Sequence, residues 1–251
     1  MKINYDEAAK TYDSTRKSDK SLIEIFDQNN LLSIGKNILD FGCGTGNYLY
    51  DLTRDYQGNY FGIDPSEEMR RIAQYKCPEA IIKDGNHINI PFDNSFFDFI
   101  FMTDVIHHIP DIACLFSSLY TKLKIDSLVC ILTSSHKQIE IRWYNEYFPS
   151  LRTNEKKRYP DIEEILINAQ NNGFSKNAIE LMNYGNKNII TEEFIQMVEE
   201  KNYSMFRLLD EEEYKAGLKK MKNDKGKVIV GQPHGETLVW LIKKRLTTVS
   251  T

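Results

Sequence analysis

The chain has 251 residues, 41% of them hydrophobic, enough for one large α/β domain or a core with a cap. No apolar run reaches the ~18–20 residues of a membrane span, and the opening Met1-Lys2-Ile3-Asn4-Tyr5-Asp6 lacks the apolar core of a signal peptide. A net charge of −4 argues against a nucleic-acid surface. Cys43, Cys77, Cys114 and Cys130 are scattered with no C-x-x-C pair, which fits reduced thiols in a cytoplasm better than disulfides or a zinc site.

In chain order, Tyr5 and Tyr12 lie seven residues apart, so one helical face carries both. Residues 37–41 are a short buried strand, followed by Gly42, Gly44 and Gly46 and then a helix over about 47–56 with Tyr48, Leu49, Leu52 and Tyr56 on one face. A second strand, 59–63, ends at Asp64-Pro65, and a helix is predicted over 66–75. A third strand, 80–83, stops at the turn pair Asp84-Gly85. The fourth, 97–102, precedes a helix whose N-cap is Asp111 and whose inner face is Ile112, Leu115, Phe116, Leu119 and Leu123. The fifth strand is predicted over 127–133. Asp161-x-x-Glu164 reads as a capping box, opening a helix with Ile162, Ile165, Leu166 and Ala169 inward and Gly173 as C-cap. Strands follow over 174–182 and 237–243, with a second capping box, Asp210-x-x-Glu213, before a helix to about 221. Strands alternating with helices imply a parallel sheet covered on both faces.

Strand, glycine turn, helix is an arrangement that lets backbone approach a ligand. Glycine tolerates positive φ, and the helix N-terminus adds partial positive charge. The glycines run G-x-G-x-G, with Asn47 next, rather than the G-x-G-x-x-G of a dinucleotide fold. The run Ile38-Leu39-Asp40-Phe41-Gly42-Cys43-Gly44-Thr45-Gly46 resembles the first motif of class I S-adenosylmethionine-dependent methyltransferases. Thr103-Asp104-Val105-Ile106-His107-His108-Ile109-Pro110-Asp111 resembles the segment after the fourth strand in their small-molecule members of the ubiquinone/menaquinone-biosynthesis type. The stretch from Tyr5 to Arg16 is similar to the Tyr-Asp-x-x-Ala-x-x-Tyr-Asp opening of the same group.

The resemblance implies a Rossmann-like, seven-stranded, mostly parallel sheet, with its last strand antiparallel beside the fifth. Ligands on such sheets bind beyond the strand C-termini. It implies that Asp40 and the backbone of Gly42, Cys43, Gly44 and Gly46 face the methionine part of S-adenosylmethionine, with Tyr12 a contact and Arg16 a carboxylate partner. Asp64, followed by Pro65, would accept from both ribose hydroxyls. Met69 would pack on adenine, Asp84 would meet its amino group, Gly85 would let backbone approach the ring, and Thr103 would border the site. His108 stands at the family's histidine position as a base or a loop positioner, with His107 beside it and His136 a rival.

The expected organisation is a single methyltransferase domain over 1–251. It comprises an N-terminal helical lid at 1–34, a cofactor core at 35–136, and cap insertions at 137–159 and 184–235 over the acceptor. The expected reaction is in-line methyl transfer to an O, N, C or S atom of a small molecule, releasing S-adenosylhomocysteine without a metal. The expected state is a cytoplasmic monomer or homodimer with no nucleic-acid partner and no membrane insertion. The alternatives are a non-catalytic S-adenosylmethionine-binding or regulatory protein and a nucleic-acid methyltransferase. The latter is disfavoured because Thr103-Asp104-Val105-Ile106 replaces the Asn/Asp-Pro-Pro-Tyr/Phe motif of many base-amine methylases.

Overall fold

The computed structural model describes residues 16–232 and 235–244. Its helices are α1 (Lys20–Gln28), α2 (Asn47–Asp55), α3 (Glu67–Lys76), α4 (Ile112–Lys122), α5 (His136–Glu140), α6 (Leu151–Arg158), α7 (Ile162–Asn171), α8 (Glu192–Glu199) and α9 (Glu211–Asn223). Its strands are β1 (Asn37–Phe41), β2 (Asn59–Asp64), β3 (Ile81–Asp84), β4 (Phe97–Thr103), β5 (Leu123–Thr133), β6 (Phe174–Asn183), β7 (Lys187–Ile189), β8 (Val228–Val230) and β9 (Gly235–Lys243).

Seven strands form one sheet in the order β3-β2-β1-β4-β5-β9-β6. β1 to β5 pair in parallel, and β9 runs antiparallel to both β5 and β6. The expected seven-stranded topology therefore holds. Alternation along the strands sends two sets of side chains to opposite faces. Leu39, Phe61, Ile100, Ile131 and Val239 pack with Leu115, Phe116 and Leu119 of α4 and Ile165 and Ala169 of α7. Ile38, Phe99, Phe101, Leu132 and Trp240 pack with Leu49 and Leu52 of α2 and with α1. A third cluster, including Phe148, Ile195, Val198, Phe206 and Met221, lies off the sheet and binds the insertions together. No described helix is long and apolar enough to cross a membrane.

Several local expectations are corrected. The helix placed in an N-terminal lid is a core element: Phe26 of α1 meets Phe99 at 4.9 Å, Phe101 at 5.2 Å and Trp240 at 6.0 Å. The apolar set Leu22, Ile23 and Phe26 gives α1 one sheet-facing stripe. β5 starts at Leu123, earlier than predicted, because Leu123 ends α4 and begins the strand at once. The register shift opposite Phe97 and Phe99 absorbs the irregular stretch, where Asp126 has φ 62°.

Neither predicted capping box closes. Asp161 accepts from the backbone N–H groups of Ile162 and His136. Asp210 does cap α9, which runs to Asn223, but the Glu213 carboxylate accepts from Ser150 N–H at 2.8 Å and so holds the start of α6. The capping box observed is Ser135/Gln138, at the start of α5. Asn172 is the C-cap of α7, and Gly173, with φ +91°, is the residue after it.

Candidate active site

The C-terminal ends of β1, β2, β3 and β4 converge on one edge. Gly42, Gly44 and Gly46 all have positive φ, at 78°, 52° and 77°. Glycine is required at Gly42 on a second count: an added Cβ would lie 2.6 Å from a Val105 methyl. The loop is fixed by backbone N–H groups of Gly42 and Cys43 donating to the Ile63 carbonyl. It is also fixed by Gly44 N–H donating to Asp64 at 3.0 Å. Asp64 further accepts from Ser66 N–H at 2.8 Å, so one carboxylate ties the glycine loop to the start of α3. Ser66 in turn caps α3 at Met69 N–H. A carboxylate offers roughly four acceptor sites, so this bracing is compatible with receiving a ligand's hydroxyl hydrogens.

Asp40 is 2% exposed. Burial first, and the charge of Asp64 second, hold its carboxyl well above the usual carboxylate range. A buried acid that feels a second carboxylate is relieved by a cation.

The other candidates fall in three groups. Thr103 ends β4, paired with Leu132 on β5. Asp84, exposed and opposite Asp64 across the β2–β3 pair, forms an ion pair with Arg70 at 3.1 Å. Pro65 is exposed at the same edge. Cys43 and Met69 are buried, at 7% and 1% exposure. Gly85 has a packing reason of its own, since a Cβ there would lie 3.0 Å from Ile63 and 3.1 Å from Pro91. Tyr12 lies outside the described residues.

Arg16, His107 and His108 line an adjoining cavity of about 360 Å³, bordered also by residues of both insertions. The Arg16 guanidinium sits 4.1 Å over the Tyr203 ring. The His107 ring stacks on Tyr159 at 4.1 Å and lies 3.9 Å from the His108 ring. Desolvation, helped by Arg158 and Arg16, pushes His108 down to about 4. Desolvation also holds His107 well below its usual value, with His108 and nearby arginines adding to it. Both rings are therefore neutral at pH 7 and hold a proton weakly. His136 is not in the lining. Its Nε2 lies 2.8 Å from the Tyr159 carbonyl oxygen and its backbone N–H donates to Asp161, so it anchors α5 to the chain before α7.

Sequence reasoning passed over Asp104 and Glu236, which also line the cavity. Asp104 follows β4 with φ 57°, a left-handed conformation uncommon outside glycine. Glu236 lies at the start of β9, which begins at this edge because it is antiparallel. Burial, then the charge of Asp104, then a hydrogen bond between the two side chains push Glu236 up to about 8, against the opposing effects of Tyr184 and Arg142. Tyr184 Oη donates to Glu236 at 2.9 Å. Arg142 donates to Ser134 at 2.8 Å and pairs with buried Glu155 at 3.4 Å, which Arg158 also holds at 2.6 Å.

Residues 14–178 match the family model described as "Methyltransferase domain". The chain belongs to this methyltransferase family. An uncharacterized methyltransferase from Bacillus cereus is 32% identical over 191 residues, covering 68% of this chain and 87% of that protein. The demethylmenaquinone methyltransferase of Lactiplantibacillus plantarum is 31% identical over 126 residues, covering 45% of this chain and 53% of that one. The chain thus spans about half the length of the latter relative. Geranyl diphosphate C-methyltransferase from Streptomyces coelicolor, solved with Mg2+, geranyl diphosphate and S-adenosyl-L-homocysteine, superposes with a TM-score of 0.55 at 13% identity, covering 89% of this chain and 79% of that one. That likeness shows the methyltransferase fold.

Proposed function

We propose that this methyltransferase moves a methyl group from S-adenosylmethionine to a small molecule. The observation that carries the reading is the strand-end cradle: three positive-φ glycines, one of them bonded to Asp64, beside the buried acid Asp40. The cofactor supplies a methyl group already activated by positive charge on sulfur. The residues present fit it. Asp64 would take the ribose hydroxyls, and Asp40 with Asp64 would favour the cationic methionine end. Arg16 would pair with the cofactor's carboxylate. Because the leaving group is preactivated, the protein's work is to align nucleophile and methyl group and exclude water, with no call for a Lewis acid.

The insertions at 137–159 and 184–235 act in this reading as the cap over the acceptor, and the cavity they close with Arg16 and His108 is where the acceptor sits. Its volume suits a small molecule rather than a nucleic-acid strand. The test is calorimetry with S-adenosylhomocysteine. Wild type binds saturably, and Asp64→Ala loses about 1.5–3 kcal/mol, the scale of a charge-assisted hydrogen bond. No saturable binding by wild type overturns the function, whereas an unchanged affinity in Asp64→Ala removes the ribose assignment alone.

A further inference from the structure

The cavity beside the glycine cradle is rich in guanidinium groups. Arg16, Arg142 and Arg207 line it, and Arg158 adjoins it, donating to the lining residue Ser204 at 3.1 Å. The acids of the same lining are Asp104, Glu155 and Glu236. Four groups that stay cationic at any working pH thus stand against three carboxyls. Burial first, then the charge of Asp104, push Glu236 up to about 8, so at pH 7 most of it carries no charge. The positive field reaches the neighbouring rings: desolvation lowers His107 and His108, and Arg158 and Arg16 lower both further.

Two of the four guanidinium groups are committed within the protein. Glu155, 2% exposed, is held by Arg142 at 3.4 Å and by Arg158 at 2.6 Å, and these arginines also donate to Ser134 and Ser204. In the methyl-transfer reading Arg16 belongs to the cofactor's carboxylate. Asp104 follows β4, on the side where that reading places the cofactor's cationic end. Arg207 differs from the other three. It comes from the 3-10 turn Ser204–Leu208 of the second insertion and is only partly exposed. Its Nε donates to the Lys201 carbonyl at 2.9 Å, which steadies the fork and leaves both Nη groups to other partners. Among the described residues no carboxylate pairs with it. A guanidinium drawn partly out of water gains from a counter-ion, and its planar fork matches the paired oxygens of a carboxylate or a phosphate.

Resting on the methyl-transfer reading, we infer that the acceptor carries an oxyanion, and that Arg207 is the residue that grips it. The chemistry recognised is two or more oxygens sharing negative charge on one carbon or phosphorus, which carboxylates and phosphates have in common. The grip positions the acceptor and selects it, and takes no proton from it. A neutral acceptor would leave Arg207 without a counter-ion, and a cationic one would meet the surplus positive charge of the whole lining.

The experiment uses the full chain saturated with S-adenosylhomocysteine, titrated by calorimetry at pH 7 with benzoate, phenyl phosphate, the uncharged benzamide and the cationic benzylamine. At least one of the two anions binds about tenfold or more tighter than benzamide, the scale of one charge-assisted hydrogen bond, and benzylamine binds weakest. The tighter of the two anions tells a carboxylate site from a phosphate site. Arg207→Gln removes the preference for the anion over benzamide and leaves S-adenosylhomocysteine affinity within twofold of wild type. Arg207→Lys, which keeps the charge without the fork, retains part of the preference. Arg142 and Arg158 are left intact, because removing either strands the buried Glu155 carboxylate. Benzamide or benzylamine binding as tightly as both anions, or no saturable binding of either anion, with S-adenosylhomocysteine still bound, overturns the oxyanion assignment and leaves the methyl-transfer reading standing. An anion preference that survives Arg207→Gln overturns the role of Arg207. Failure of wild type to bind S-adenosylhomocysteine overturns the reading beneath both.

Discussion

Asp64 shows how one side chain serves structure and ligand together. Its carboxylate draws in the N–H groups of Gly44 and Ser66, so the glycine loop and the α3 cap share one anchor. Its identity and place after the second strand were legible from the motif, because a strand end, a glycine loop and an acid at this spacing form a local pattern. Glu236 was not legible, because its properties come from groups far away in sequence: Asp104, Tyr184 and Arg142. Its folded-state pKa of about 8 lies above the ordinary 4.5, so the native state holds a proton that the unfolded chain releases. Stability therefore falls as pH rises through that window, and the full cost is present above pH 8. Glu236→Gln removes this cost. Its melting temperature should exceed wild type by a margin that grows from about pH 5 to pH 8 and then levels off, as scanning calorimetry across pH will show. A margin that shrinks with pH would contradict the assignment of a raised carboxyl.

At the scale of elements, helices and strands of the core were readable from periodicity, because α4 and α7 each bury one face against the sheet. The caps were less so. A capping box requires its acid to turn back on its own helix, and Glu213 instead reaches across to Ser150. That choice belongs to packing between α6 and α9, which no local pattern encodes. Gly217, in the middle of α9, has the same origin. A Cβ there would lie 2.4 Å from both Phe148 Cε1 and the Tyr147 carbonyl oxygen, so glycine permits the close approach of α9 to the aromatic segment before α6. Gly217→Ala gains helix propensity yet overpacks this contact. It should lower stability by about 1–3 kcal/mol, measurable by denaturant unfolding. A neutral or stabilising outcome would show that the contact relaxes freely.

For the whole molecule, the antiparallel β9 matters most. It lies between β5 and β6 and brings the end of the 184–235 insertion to the edge where β1 to β4 present their loops. The insertions share a core of their own, with Phe148 against Phe206 at 5.2 Å and Trp143 against Phe194 at 4.8 Å. Arg16 over Tyr203 joins the chain before α1 to that body. If the cap closes over the reacting groups, S-adenosylhomocysteine should slow amide hydrogen exchange in 143–158 and 192–208 together with the glycine loop. Protection confined to the glycine loop would show that the cap is indifferent to the cofactor.

The amino-acid sequence by itself determined the α/β class, the glycine cradle and Asp64, because each depends on residues close together along the chain. Tertiary structure alone decided that α1 belongs to the core, that His136 anchors a helix, and that His107 and His108 are held neutral. It also decided that Asp104 and Glu236 meet. Those outcomes depend on burial and on charges contributed by distant elements, and electrostatic interactions inside a protein are set by distance in space and the surrounding dielectric rather than by order along the chain.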